Sequence, residues 1–254
     1  MSAFDIILIV AVTTQCVVMA ELHDPWAKAF MLAIPVPVGF GILSVATPLN
    51  VTHATGLLLS LGFTLAVLNL HKTLGLWIIP SIIIAACAYC VAGIFLSSIL
   101  PHTRTAFWIV DIAAGCLALI VLSAMPQRNE PPYRNPLKLP VKVVVILFVV
   151  TFLVFLKKKL CGVMSTFPML GVVASYETRK SLYTTSRIIP MSILAFSVAF
   201  AICFVLQDQF GLYFALSVCL LTYMTIMLFF NRIVRKQKKI WMPSNLTSPK
   251  SVDF

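Results

Sequence analysis

Charged residues are scarce in this sequence of 254 residues, where Asp, Glu, Lys and Arg together make up 11%. Soluble globular domains carry about a quarter charged residues and about half apolar ones. Here hydrophobic residues reach 60%, and the mean hydropathy is +1.01. A chain of this composition would aggregate in water, which argues against a soluble catalytic domain. The sequence predicts an all-α integral membrane protein with one membrane domain.

Long polar stretches are few. The apolar residues recur in runs of about 17 to 25, the length needed to cross a hydrocarbon core about 30 Å thick. The first run has no basic segment before it and no small-residue cleavage site after it, so we interpret it as a membrane helix and not a signal peptide. Nine transmembrane helices are predicted: Phe4–Ala20, Trp26–Ala46, Thr55–Leu70, Leu74–Leu100, Thr105–Ala124, Val141–Leu156, Leu160–Tyr176, Ile188–Leu206 and Phe210–Phe230.

One polar connector, Pro126–Pro140, breaks this pattern with several prolines and charges of both signs. It predicts a first transmembrane half over residues 1–125, with spans one to five, and a second over residues 141–231, with spans six to nine. Residues 126–140 are then a proline-rich cytoplasmic connector, and residues 232–254 a basic cytoplasmic tail.

Acidic residues are the rarest charges: eight oppose 19 Lys and Arg, which gives a net charge of +11. With nine spans, fifteen of the basic residues fall on the side of the C-terminus and four, Arg104 and Lys157–Lys159, on the other. Because positive loops stay cytoplasmic, we expect the N-terminus outside and the C-terminus inside. The cluster Lys157–Lys159 conflicts with this, and if it is cytoplasmic, one predicted span is a re-entrant hairpin.

A strong positive charge can also indicate a nucleic-acid partner, but no basic groove with interleaved aromatics or nucleic-acid motif accompanies it. The interpretation we favour is anchoring, with the basic tail attracted to anionic lipid headgroups. Membrane lipid is therefore a predicted partner, and nucleic acid is not.

Groups that bind metals or cofactors are sparse. The four histidines lie near span ends without a paired spacing, and Cys87 and Cys90, spaced as CxxC, fall inside an apolar run, where small packing residues are the better interpretation. We predict no metal site, no cofactor and no catalytic residues.

The two halves resemble each other where proline interrupts an apolar run. Pro35, Pro37, Gly39 and Gly41 break the second span, and Phe167, Pro168 and Gly171 break the seventh at a similar depth. Pairing Pro35 with Pro168 is an offset of 133 residues. Near that offset, the segment with Thr52 and His53 corresponds to the one with Thr184 and Thr185. The similarity is short, and chance is the alternative.

If the repeat is real, two four-helix units flank a linker helix, span five, and the odd number of crossings inverts the second unit. Inverted repeats with broken helices at matching positions indicate a transport site at the bilayer midplane, because the break frees backbone groups to hold a solute. The predicted substrate-binding residues are Pro35, Pro37, Gly39, Gly41, Thr52, His53, Phe167, Pro168, Gly171, Tyr176, Thr184 and Thr185. The structural alternative is that the prolines only kink packed helices.

Two carboxylates are candidates for ion or proton coupling. Asp111 lies inside the fifth span, where a charge is costly and usually has a task or a partner. Glu177 ends the seventh span in a polar segment that includes Arg179 and Lys180, where a carboxylate should keep its charge. A structural hydrogen bond for Asp111 and a solvated turn around Glu177 are the alternatives.

A family resemblance covers about a quarter of the chain, from Lys142 to about Leu206. The stretch resembles the GlpM-like small bacterial inner-membrane proteins in the order of a basic residue, an apolar span, Lys157–Lys159, Phe167-Pro168, Tyr176 and Leu182-Tyr183-Thr184-Thr185. The resemblance implies a bacterial inner membrane and an association with exopolysaccharide production. It supplies no mechanism and no catalytic residues.

Three classes of function fit these patterns. The sequence favours a transporter or channel for a small polar or anionic solute, with a midplane site at the broken helices. The alternative is a non-catalytic structural or accessory subunit of a membrane complex, with other membrane proteins as partners. An intramembrane enzyme would need His, Asp, Glu or Cys clustered near one interface, and Asp5, Glu21, His23 and Asp24 lack recognisable spacing.

Overall fold

A computed structural model describes residues 3–45, 48–126, 128, 130–157 and 167–241. All regular secondary structure in these residues is helical, so the all-α prediction is confirmed. The ten described helices are α1 (Ala3–Glu21), α2 (Pro25–Leu32), α3 (Val36–Val45), α4 (Val51–Lys72), α5 (Ile78–Ile99), α6 (Arg104–Ala124), α7 (Leu139–Lys157), α8 (Met169–Glu177), α9 (Leu182–Phe210) and α10 (Leu212–Trp241).

Seven helical segments are long and apolar enough to cross a membrane, and one of them, Pro25–Leu43, combines α2 with most of α3. The apolar part of α7, Leu139–Phe155, is shorter, and α8 has nine residues. The protein is therefore a multi-pass membrane protein. The predicted seventh span, Leu160–Tyr176, falls partly outside the described residues, so the number of nine crossings stays a prediction.

Large apolar side chains point outward along most of these helices. Val91 on α5, Phe148 on α7 and Leu221 on α10 are more than two-thirds exposed. Such a surface would be unstable in water, and it matches the environment of lipid chains. The exposed faces of the helices are therefore the lipid-facing surface.

The helix ends fall into two groups that define the two ends of the bundle. At one end, which we call the connector end, Lys142 at the start of α7 forms a salt bridge of 2.9 Å with Glu21 at the end of α1. At the opposite end, Arg104 at the start of α6 pairs with Asp208 near the end of α9. These contacts place the end of α1 and the start of α7 at the connector end, and the start of α6 and the end of α9 at the opposite end.

Helix α9 departs from the predicted boundaries. It begins at Leu182, six residues before the predicted Ile188, and continues through Pro190 to Phe210. The segment that we expected as a possible solvated turn is largely buried, including Ser181, Thr184 and Thr185. The reason is that the connector folds over it: Glu130 accepts hydrogen bonds from backbone N–H groups of Tyr183 and Thr184, at 3.2 and 2.7 Å.

The helix break that the prolines predicted lies between α2 and α3. Helix α2 ends at Leu32 and α3 begins at Val36, with Pro35 immediately before it. Three backbone carbonyls around the break accept side-chain hydrogen bonds. Gln15 Nε2 donates to Met31 O at 2.6 Å and to Ile34 O at 3.0 Å, and the Tyr223 hydroxyl donates to Ala33 O at 2.5 Å.

Replacing Gln15 by Met should lower the free energy of unfolding by about 1–2 kcal/mol, because two carbonyls at membrane depth lose a donor. The measurement is equilibrium unfolding in mixed micelles, followed by circular dichroism. The control is Thr14→Val, which removes a hydroxyl bonded only to its own helix at Val10 O, on an exposed face. Equal stability of the two variants would contradict the role assigned to Gln15.

Candidate functional site: a cavity at the helix break

A cavity of about 100 Å³ lies where the α2–α3 break faces the start of α8. Helices α4, α9 and α10 close its other sides. It brings together five of the predicted site residues: Pro35, Pro37, Phe167, Pro168 and Gly171. The two proline-interrupted segments, far apart in sequence, therefore meet across one small space.

The cavity walls are mostly apolar, with a few hydroxyl groups. Ser60 and Thr64 contribute from α4, Ser192 from α9 and Tyr223 from α10. The Tyr223 hydroxyl lies 3.0 Å from Ser192 Oγ, and its ring stacks on Phe196 with 4.0 Å between centroids. None of the described lining residues carries a carboxylate.

Two helices begin at this cavity, α3 just after Pro35 and α8 just after Pro168. The first N–H groups of a helix have no partner within the helix, and the helix dipole gives that end a partial positive charge. No side chain caps the N-terminus of α8 among the described residues. The cavity therefore combines hydroxyl groups with the positive ends of two half-helices.

Glycine at position 171 permits this close approach. A Cβ at Gly171 would lie 3.0 Å from the Cβ of Pro168 and 3.3 Å from Cε1 of Phe63. Gly39 has a different neighbour, since its added Cβ would lie 3.2 Å from Leu220 of α10. Gly39 and Gly41 are not among the described residues that line the cavity, and Gly39 serves the packing of α3 against α10.

Thr52 and His53 lie away from the cavity, at the start of α4 and the opposite end of the bundle. Asn50 caps this helix: its side-chain oxygen accepts from Thr52 N at 3.0 Å, and its own N–H donates to His53 Nδ1 at 3.3 Å. His53 is fully buried. The observed role of both residues is to cap and pack the start of α4.

Tyr176, Glu177, Thr184 and Thr185 lie at the connector end, also away from the cavity. Glu177 is 3% exposed, and Asn135 Nδ2 donates to its Oε1 at 3.1 Å. Its second oxygen, Oε2, has no hydrogen-bond partner in the described part of the chain. The backbone of Thr184 is held by Glu130, as described above.

Tyr133 of the connector is a functional residue candidate that the sequence analysis missed. Arg179, Lys180 and Lys28 all lie over its ring, at 5.0, 4.7 and 5.8 Å from the centroid. Its hydroxyl accepts a hydrogen bond from Arg179, and its backbone oxygen accepts from Lys28 Nζ at 2.8 Å. In the sequence, Tyr133 is distinguished only by its position among prolines and charged residues. That position does not predict its contacts with α2 and with the turn between α8 and α9.

Asp111 is buried between α6 and α9, and it is not among the described residues of the cavity lining. Ser197 Oγ lies 3.0 Å from Asp111 Oδ2 and 3.1 Å from its backbone oxygen. Asp111 Oδ1 has no hydrogen-bond partner in the residues that the structure covers. The carboxylate therefore faces the protein interior, as its cost in lipid requires.

Comparisons with known proteins do not narrow the function. No family model matches the chain, and neither a curated protein nor a solved structure is similar to it. Among the described residues, no three His, Cys, Asp or Glu side chains are grouped as a metal site would need.

Replacing Tyr223 by Phe should destabilise the cavity, because it leaves Ala33 O without its side-chain donor and removes the partner of Ser192. We expect a loss of about 1–2 kcal/mol in unfolding free energy, measured in mixed micelles. The matched control on the same helix is Tyr213→Phe, since Tyr213 is 71% exposed on the outer face. An equal loss in both variants would show that the Ala33 contact does not matter.

Proposed function

We propose that this protein is a transporter or channel for a small anionic or polar solute, and that the solute binds in the cavity at the helix break. The observation that carries the proposal is that α3 and α8 both begin at this cavity. Irregular backbone at membrane depth is tolerated where protein covers it or where it lines a cavity. Discontinuous helices with their N-termini at such a cavity are typical of the substrate sites of secondary transporters.

The arrangement of helices supports an inverted repeat. Helices α1, α3, α4 and α5 precede the linker helix α6, and α7, α8, α9 and α10 follow the connector. Corresponding helices begin 136, 133, 131 and 134 residues apart: Ala3 and Leu139, Val36 and Met169, Val51 and Leu182, Ile78 and Leu212. An offset kept nearly constant over four elements extends the short sequence similarity to helix order.

The charge and size of the cavity favour a small anion among the possible solutes. Two helix N-termini contribute partial positive charge, and no carboxylate opposes them among the described lining residues. The C-terminus of α2 also lies there with partial negative charge, but its carbonyls at Met31, Ala33 and Ile34 already accept hydrogen bonds from side chains. A volume of about 100 Å³ is room for a few water molecules. We therefore expect solutes of the size of a halide, nitrate or formate.

Asp111 is our candidate for proton coupling. Ser197, which bonds its carboxylate, lies on the same helix as the cavity residue Ser192. A change in the hydrogen bond at Asp111 would act on α9 and, through it, on the cavity wall. The protonation of Asp111 would in this way affect solute binding although the carboxylate does not contact the solute.

The proposed location is a bacterial inner membrane, as the resemblance to GlpM-like proteins implies. The connector end holds Lys28, Arg134, Lys142, Arg179 and Lys180, whereas Arg104 lies at the opposite end. Positive residues stay cytoplasmic, so we place the connector end in the cytoplasm and the N-terminus outside. Membrane lipid surrounds the protein, and other membrane proteins are possible partners.

The test is anion flux into proteoliposomes that contain the full chain. Vesicles with a potassium ionophore are shifted into potassium chloride, nitrate, formate or acetate, and swelling is followed by light scattering. We expect protein-dependent flux of at least one anion, and a loss of at least about tenfold in Ser60→Leu, which fills the cavity.

The matched control is Ser217→Leu, the same change at an exposed position of α10 whose hydroxyl bonds to Tyr213 O of its own helix. This variant should transport like the wild type. Flux no greater than in protein-free vesicles for every anion, or equal flux in the two variants, would count against the proposal.

Asp111→Asn tests the coupling role separately. We expect it to abolish the acceleration of uptake by an inward proton gradient, because the amide cannot exchange a proton. Flux without a gradient should persist, because the amide oxygen can still accept the hydrogen bond from Ser197. The measurement is uptake at equal and unequal pH across the membrane. Unchanged acceleration in the variant would remove Asp111 from the mechanism.

A further inference from the structure

A second and larger space opens on the lipid-facing side of the bundle, between α5, α7 and α8. This groove has a volume of about 450 Å³, within the range of about 300–1,000 Å³ usual for ligand sites. Its mouth is apolar and open, with Ile79, Ile83 and Val145 each more than half exposed. It does not share a described lining residue with the cavity at the helix break.

The groove is polar at one place, the connector end. There Lys142, Tyr176 and Glu177 line it beside the apolar wall. Lys142 is 2% exposed, and its Nζ donates to Glu21 Oε1 at 2.9 Å. The groove therefore joins a strip of exposed apolar side chains with two buried side chains of opposite charge, Lys142 and Glu177.

Glu177 lacks one hydrogen bond at this place. Asn135 donates to Oε1, but Oε2 is buried and has no donor within the described residues. An ionised carboxylate accepts hydrogen bonds and cannot donate them, so this oxygen needs an N–H or O–H donor, which a water molecule or a ligand headgroup would supply. Leaving such an acceptor unpaired is costly, which makes the site selective for a donor.

We propose that this groove binds one phospholipid with an ethanolamine headgroup. Its primary ammonium donates an N–H to Glu177 Oε2, its phosphate lies toward Lys142, and one acyl chain follows Ile82, Ile83 and Val149. Because lipid chains are as apolar as the groove, the chain gains little by moving into it. The headgroup contacts therefore determine which lipid binds.

The charges and the unpaired acceptor at the site distinguish this lipid from other common membrane phospholipids. A choline headgroup carries the same charge but has no N–H to donate to Glu177. A glycerol or serine headgroup adds net negative charge next to the unpaired carboxylate oxygen. Of these four lipids, only the ethanolamine lipid has both an N–H donor and a headgroup with no net charge.

The experiment is native mass spectrometry of the full chain, titrated in detergent with ethanolamine, choline and glycerol phospholipids of identical acyl chains. We expect about tenfold tighter binding of the ethanolamine lipid than of the choline lipid, the effect of one hydrogen bond to a charged group. Glycerophosphoethanolamine, which has no chains and stays in water instead of entering the micelle, should not compete at the same total concentration.

Two variants locate the site. Glu177→Gln should reduce the preference for ethanolamine to about equal binding, because an amide replaces the unpaired oxygen. Val149→Phe, which narrows the groove without touching the carboxylate, should weaken both lipids. The matched control for the charge is Asp208→Asn at the opposite end of the bundle, which should keep the tenfold preference.

Three results would overturn the proposal: equal binding of ethanolamine and choline lipids to the wild type, a preference that persists in Glu177→Gln, or tightest binding of the glycerol lipid. The last would assign lipid binding to the cations of the connector end. The inference does not rest on the proposed transport, since lipid binding is measured without any flux.

Discussion

The carbonyl groups at the α2–α3 break impose the constraint on which the rest of the structure depends. A backbone oxygen inside a bilayer has no water to bond to and must find a donor within the protein. Gln15 of α1 satisfies Met31 and Ile34, and Tyr223 of α10 satisfies Ala33. These bonds tie the first and last described helices to the break. They also keep the interrupted backbone fixed beside a space that stays open.

The position of this break could be predicted from the sequence, but its supports could not. Proline lacks the N–H that would continue the helix, so Pro35 marks the interruption directly. The donors come from residues 19 and 190 positions away from the carbonyls they serve. Neither a glutamine in an apolar run nor a tyrosine near the C-terminus has a pattern that identifies such a partner. The similarity of the two proline segments led us to expect Pro35 near Pro168, and both line the cavity. Thr52 belongs to the same sequence similarity, but it lies at the start of α4, away from the cavity.

The connector shows a different limit of sequence reasoning. Its prolines and charges predict a link between two apolar halves, and its composition suggests that it is exposed to water. In the structure, Glu130 binds the start of α9 and Tyr133 lies beneath three cations. This segment covers the start of α9, where Ser181, Thr184 and Thr185 are buried, whereas Lys180 is exposed. The composition of the connector predicts its polarity. It does not predict which part of the protein the connector packs against, because that depends on the fold.

Helix α8 relates the two proposed sites to each other. Its first residues, Met169 to Gly171, line the cavity at the break, and Val172 to Glu177 include the residues that line the lipid groove. Among the described helices, only α8 lines both spaces. A helix of nine residues is too short to be stable by itself, so its position depends on what packs against each end. A lipid headgroup held at Glu177 would therefore restrain the same short helix whose N-terminus faces the solute cavity. Lipid binding in the groove would in this way change the geometry of the cavity.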